Sequence, residues 1–177
     1  MKKKILLISD WNYAFLMWDL SFKFEKKWFE CSTSIVVWKT YYNKLKSWNI
    51  KSTFNNIYLL QNILEEKNPE KYFDAKKLEK LEKKYWNPTL LIYLWADRGF
   101  VFDSYEKNMG RIISLFEYFE DIYSKEKPDY IITNAYASMP HLISYAVWTN
   151  MWINFIRPVQ LRFARKTFFV NTQYEDI

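Results

Sequence analysis

The sequence predicts an α/β fold, a Rossmann-like parallel sheet with helices on both faces. Two observations predict it. Short apolar runs alternate with longer helical patterns along the chain, the order that builds crossover-connected parallel strands. The first run, Lys3–Ser9, is apolar without polar alternation, as a strand buried on both faces must be. Neither an internal repeat nor a Pro/Gly/Ser-rich linker divides the 177 residues, which suffice for one domain with a sizeable core.

The elements follow in order. After the first strand, Tyr13, Leu16, Met17, Leu20 and Phe24 keep helical spacing. Thr33–Val37 is a second, β-branched strand, followed by a short helical segment around Tyr41–Ser47. Ile50–Leu60 holds a third strand that runs into Gln61–Lys67. The charge-dense Glu65–Lys84 reads as a solvated helix, with Asp74 as N-cap and Leu78, Leu81 and Tyr85 on one face. Thr89–Ala96 is apolar on all sides and predicts a buried helix. Ile112, Leu115, Phe116, Phe119, Ile122 and Tyr123 mark a long amphipathic helix ending in Lys125-Glu126-Lys127. Pro128-Asp129 stops it before a strand at Tyr130–Thr133. Pro140 suits the first turn of the next helix, capped by Ser138 or Met139, and Ile153–Ile156 is the last clear strand.

Composition limits the function. A single cysteine, Cys31, excludes a disulfide framework and points to a reducing, cytoplasmic setting. The apolar part of the N-terminus, Ile5–Ile8, is too short for a signal peptide. Tyr130–Ile156 lacks charge but is too rich in Asn, Ser and Thr for a lipid span. The net charge of +6 reflects a preference for lysine, 21 against 5 arginines, more than a polyanionic partner.

Nine tryptophans accompany only two glycines, where average usage predicts roughly 12 glycines. Trp28, Trp86 and Trp152 follow helical runs, where a chain usually enters the left-handed conformation that glycine reaches freely. Some bacterial lineages read UGA as tryptophan and others as glycine, so an alternative genetic code explains the imbalance. Trp11, Trp38, Trp48 and Trp148 are open to the same reading, whereas Trp18 and Trp95 fall inside helical patterns. The competing account is an aromatic protein with stacking platforms for sugars or bases.

In an open α/β sheet, ligands gather at the carboxyl ends of the strands. Those ends offer Asp10 with Asn12, Asn134 with Ser138, and Arg157. No dinucleotide fingerprint or phosphate loop is present, even with Trp11 read as glycine. One histidine and one cysteine give poor support to zinc or Cys-His chemistry, and His141 reads as structural, its charged form disfavoured at a helix N-terminus. Two clusters remain. Ala96-Asp97-Arg98-Gly99 sets an acid beside a base, and Arg157, Arg162 and Arg165 gather three of the five arginines after the last strand. Arginine in a lysine-choosing chain suggests a planar fork for carboxylate or phosphate.

The order Ile5-Leu6-Leu7-Ile8-Ser9-Asp10, Tyr85-Trp86-Asn87-Pro88-Thr89-Leu90 leading to Ala96-Asp97-Arg98, Lys127-Pro128-Asp129, and Trp152–Pro158 resembles the N-terminal half of GT-B-type glycosyltransferases of capsule and surface-polysaccharide biosynthesis. The resemblance spans most of the chain through loose motifs. It implies an acceptor-side domain over 1–177, truncated before a C-terminal donor-binding domain and inactive alone. It also implies no bound metal or cofactor in this domain, a nucleotide sugar as donor, and a sugar or lipid-linked saccharide as acceptor. Asp10 or Asp97 would act as general base; Arg157, Arg162 and Arg165 would bind phosphate, with Asn12, Arg98, Asn134 and Ser138 around the substrate. Peripheral association with the inner membrane face fits such a role, and no specific nucleic acid is expected. A sugar-nucleotide epimerase-like domain and a non-catalytic carbohydrate- or RNA-binding module are the alternatives.

Overall fold

A computed structural model describes residues 2–9, 13–25, 31–47, 54–87, 89–96, 100, 102–133, 138–160 and 167–170. In chain order these form β1 (Lys4–Ile8), α1 (Tyr13–Lys23), β2 (Ser32–Val37), α2 (Lys39–Ser47), β3 (Ile57–Leu59) and α3 (Gln61–Leu64). A 3₁₀ turn at Pro69–Tyr72, α4 (Ala75–Lys84) and a 3₁₀ helix at Leu90–Ala96 follow. The chain continues through α5 (Tyr105–Glu126), β4 (Tyr130–Thr133), α6 (Met139–Asn150), β5 (Asn154–Gln160) and β6 (Thr167–Val170). The sheet order is β3-β2-β1-β4-β5-β6. Its first five strands in that order pair in parallel, and β6 pairs antiparallel with β5. This is the α/β, Rossmann-like architecture that the alternating pattern predicts.

Two compact units make up the chain. One comprises Met1–Gln61, Glu126–Ala135 and Ile153–Ile177; the other comprises Asn62–Lys125 and Tyr136–Trp152.

All six strands belong to the first unit. β1 lies at its centre because its apolar run has no polar side to turn to solvent: Leu6, Leu7 and Ile8 are buried. Ile8 is flanked by Val36 and Thr133, which locks β2 and β4 in register on its two sides. Ile5, Leu7, Ile35, Val37 and Ile132 form one face and pack with Ala14, Met17 and Trp18 of α1 and Leu45 of α2. The Trp18 ring meets Phe54 edge-on at 5.1 Å between centroids.

Polar ties set the amino edge of this sheet. The Asp129 carboxylate accepts from the Lys4 main-chain N–H at 2.9 Å and from Lys3 Nζ at 3.0 Å. The Lys4 amide first, then Lys3, hold its carboxyl below the usual carboxylate range. Asp129 therefore joins β4 to β1. Glu126, read from sequence as part of a charged tail, accepts from Ser34 Oγ at 2.9 Å, from Asn56 Nδ2 at 2.8 Å and from Tyr58 OH. One carboxylate thus binds β2, β3 and the segment between them.

In the second unit, α5 presents the predicted apolar stripe, with Ile112, Leu115, Phe116, Phe119, Ile122 and Tyr123 all buried. Tyr85 stacks on Phe116 at 4.6 Å, and Tyr93 meets the same ring edge-on at 5.5 Å. Asp74 caps α4 as predicted, accepting from the Lys76 and Lys77 amides. Gly110 is a packing requirement: a Cβ there would lie 2.0 Å from the Pro69 carbonyl oxygen.

The structure departs from the sequence expectations in four places. The third strand is confined to Ile57–Leu59, and 50–53 lie outside the described residues. Glu65–Lys84 is broken into a 3₁₀ turn and α4, because Pro69 starts a new turn and Asp74 starts the next helix. Leu90–Ala96 is 3₁₀ and only half covered. Its near-threefold repeat puts Leu90 and Tyr93 inside and Ile92 and Trp95 outside, with Trp95 78% exposed. Finally, β5 continues to Gln160 and β6 adds an antiparallel edge that the apolar pattern did not announce.

Replacing Gly110 with alanine should lower stability by about 2 kcal/mol, because backbone atoms must move to admit the methyl group. Urea unfolding of Gly110→Ala against the parent would measure it, and an unchanged midpoint would contradict the close approach.

Candidate functional site

The strand order reverses beside β1. The chain steps outward from β1 to β2 and β3 on one side, and β4 and β5 lie on the other. A crevice between oppositely directed crossovers is the usual ligand position in such sheets. The described residues at that position are Ser9, immediately after β1, and Thr133, the last residue of β4. Ser9 donates its amide to the Val36 carbonyl at 2.9 Å. Its side chain is fully buried, and its hydroxyl has no hydrogen-bond partner among the described residues. Buried hydroxyls are normally satisfied, so this oxygen sets Ser9 apart.

Arg157 stands on the same carboxyl edge. It lies one residue beyond the last β4–β5 partners, Ile132 and Ile156, abreast of Thr133, and opposite Val170 of β6. Ile132 and Ile156 belong to the face packed by α1 and α2. Strand alternation therefore turns Thr133 and Arg157 to the opposite face. Both are buried. A guanidinium held in a largely dry site can grip an anion through two parallel bonds.

The remaining sequence-predicted residues fare differently. Asp10, Asn12, Asp97, Arg98, Asn134, Arg162 and Arg165 lie outside the described residues. Ser138 is described and sits in the second unit as the N-cap of α6. It offers the backbone no side-chain cap; its Oγ shares a hydrogen bond with His141 Nδ1 at 2.7 Å.

His141 is neutral for a different reason from the one the sequence offers. Burial of the ring, 1% exposed, pushes its pKa down to about 4 and keeps it neutral. The helix terminus was the cause anticipated from sequence; desolvation is the one the surroundings supply. Burial also raises the Cys31 thiol above its ordinary value, which leaves little thiolate for nucleophilic chemistry.

One polar cluster escaped the sequence reading. Arg111 is buried in the middle of α5 and reaches Asp103 Oδ2 at 2.5 Å and Asn108 Oδ1 at 3.3 Å through Nη1. The Phe100 ring lies under its guanidinium at 4.3 Å. This arginine fastens the segment that follows Asp97-Arg98-Gly99 to a rigid helix. Its signal was present as Asn108, Arg111 and Ser114 on an otherwise apolar helical stripe.

Among the described residues, no group of three or more His, Cys, Asp or Glu side chains could hold a metal ion. No helix among them is long and apolar enough to cross a membrane. Neither a protein-family model nor a curated protein matches this chain.

The His141 environment predicts a pH dependence. The unfolded ring protonates near its ordinary value of about 6.5 and the folded ring only near 4. Protons therefore favour the unfolded chain as pH falls through that window. The contribution is complete above 6.5, declines by about 3 kcal/mol towards 4 and is flat below. Stability measured against pH for the parent and His141→Gln should differ in slope there; parallel curves would contradict it.

Proposed function

We propose that this chain is the acceptor-side domain of a GT-B-type glycosyltransferase of capsule or surface-polysaccharide biosynthesis. A sugar passes from a nucleotide-sugar donor to a saccharide or lipid-linked saccharide, and the donor is held by a further domain. The observation that carries the reading is the reversal of strand order beside β1, with Asp10 and Asn12 following β1 and Asn134 following β4. The buried Arg157 at the same edge adds the anion-binding group that a phosphate-bearing ligand needs.

In this reading Asp10 removes the proton of the attacking acceptor hydroxyl as its oxygen bonds to the sugar's anomeric carbon. The nucleoside diphosphate leaves with the bonding electron pair. Arg157, Arg162 and Arg165 neutralise phosphate charge; Asn12 and Asn134 contribute hydroxyl contacts.

Titration of the isotope-labelled chain with a short-chain polyprenyl-diphosphate-linked sugar tests it. Amide shifts should appear at Ser9, Thr133 and Arg157, and Arg157→Lys should weaken binding about tenfold, since it keeps charge but loses the fork. Failure of that ligand to bind would overturn the reading. Tighter binding of a single-stranded RNA oligonucleotide would replace it with a nucleic-acid module.

A further inference from the structure

The backbone treats two tryptophans as glycines. Among the described residues, three non-glycine positions have positive φ: Trp86 at 55°, Lys127 at 46° and Trp152 at 57°. Both tryptophans sit one residue past a helical C-cap. Tyr85 caps α4, and the Trp86 amide donates to the Lys83 carbonyl at 3.4 Å while the Asn87 amide donates to Glu82 at 3.0 Å. That pair of bonds is the Schellman ending, whose left-handed residue is usually glycine. Met151 caps α6, and the Trp152 amide donates to Thr149 at 3.2 Å, the matching inner bond.

The side chains contribute nothing that would justify the strain. Trp86 is 91% exposed and Trp152 is 93% exposed. A large apolar ring in water at a left-handed residue loses on both conformation and hydration.

Position 38 points the same way on separate grounds. Its carbonyl accepts the Tyr41 and Tyr42 amides, so it is the residue that opens α2, where glycine is accepted and bulky side chains are rare. The Trp38 indole N–H is buried with no hydrogen-bond partner among the described residues. Positions 18 and 148 behave oppositely. Trp18 is built into the sheet core against Phe54, and Trp148 is buried with its ring edge-on to Tyr145 at 5.0 Å.

We infer that the natural protein carries glycine at positions 38, 86 and 152 and tryptophan at 18 and 148. The coding rule is uniform: UGA specifies glycine at the first three, and UGG specifies tryptophan at the other two. The two most exposed indoles among the described residues then vanish from the surface, while Trp95 and Phe102 remain exposed.

Reading the five codons and weighing the tryptic peptide 85–98 from protein made by its own cells tests this together. TGA at 38, 86 and 152, TGG at 18 and 148, and a peptide with glycine at 86 are expected. TGG at 86 and 152, TGA at 18 or 148, or tryptophan at 86 in that peptide would overturn it. In protein made with the written sequence, Trp86→Gly and Trp152→Gly should each raise the folded-to-unfolded ratio roughly fivefold by relieving the left-handed strain. No gain from either variant counts against the inference.

Discussion

Parallel pairing on both sides of β1 is the constraint on which the sheet-bearing unit depends. A strand with Leu6, Leu7 and Ile8 buried has no solvent face, so both flanks and both surfaces must be supplied from elsewhere in the chain. β2 arrives through α1, whereas β4 arrives only after α5. Its register must therefore be set by contacts remote in sequence. Asp129 provides one, joining the start of β4 to the Lys4 amide, and the Asp129 amide returns a bond to the Lys4 carbonyl at 2.9 Å. A slip of one residue would turn every side chain to the wrong face.

The same constraint creates the edge at which ligands usually sit in open α/β sheets. Strands added on both sides of β1 force the strand order to reverse there, between the carboxyl ends of β1 and β4. Polar groups are buried at that edge. Ser9 keeps a buried hydroxyl without a described partner, and Arg157 is buried one strand further out. In the other unit the polar interior has a different purpose: Arg111 braces Asp103, and Tyr123 and Ser144 share a bond of 2.5 Å. Burial raises the Tyr123 phenol far above its ordinary value, so it remains a neutral strut.

Backbone geometry separates required small residues from written ones. At Gly110 the requirement is distance, because the Pro69 carbonyl occupies the space of a side chain. At 86 and 152 it is conformation, because each helix ends with one residue turned left-handed. The first kind depends on a segment some forty residues away and leaves no local trace. The second depends on where a helix stops, and the sequence around Asn87 and Ile153 already shows it.

The sequence by itself determined the parallel sheet, its central first strand, the Asp74 cap, the apolar face of α5 and the two helix endings. All of these rest on local period or local capping, which neighbouring residues encode. It put Arg157 just after the last strand, whereas β5 runs on to Gln160 and includes it. Tertiary structure decided what long-range pairing controls. It confined β3 to three residues, added β6 as an antiparallel edge, and left one side of the Leu90–Ala96 turn in solvent. It made Glu126 a bridge between strands and His141 a neutral buried ring. Hydrogen-bond partners far apart in sequence and the loss of water around a side chain exist only once the chain has closed on itself.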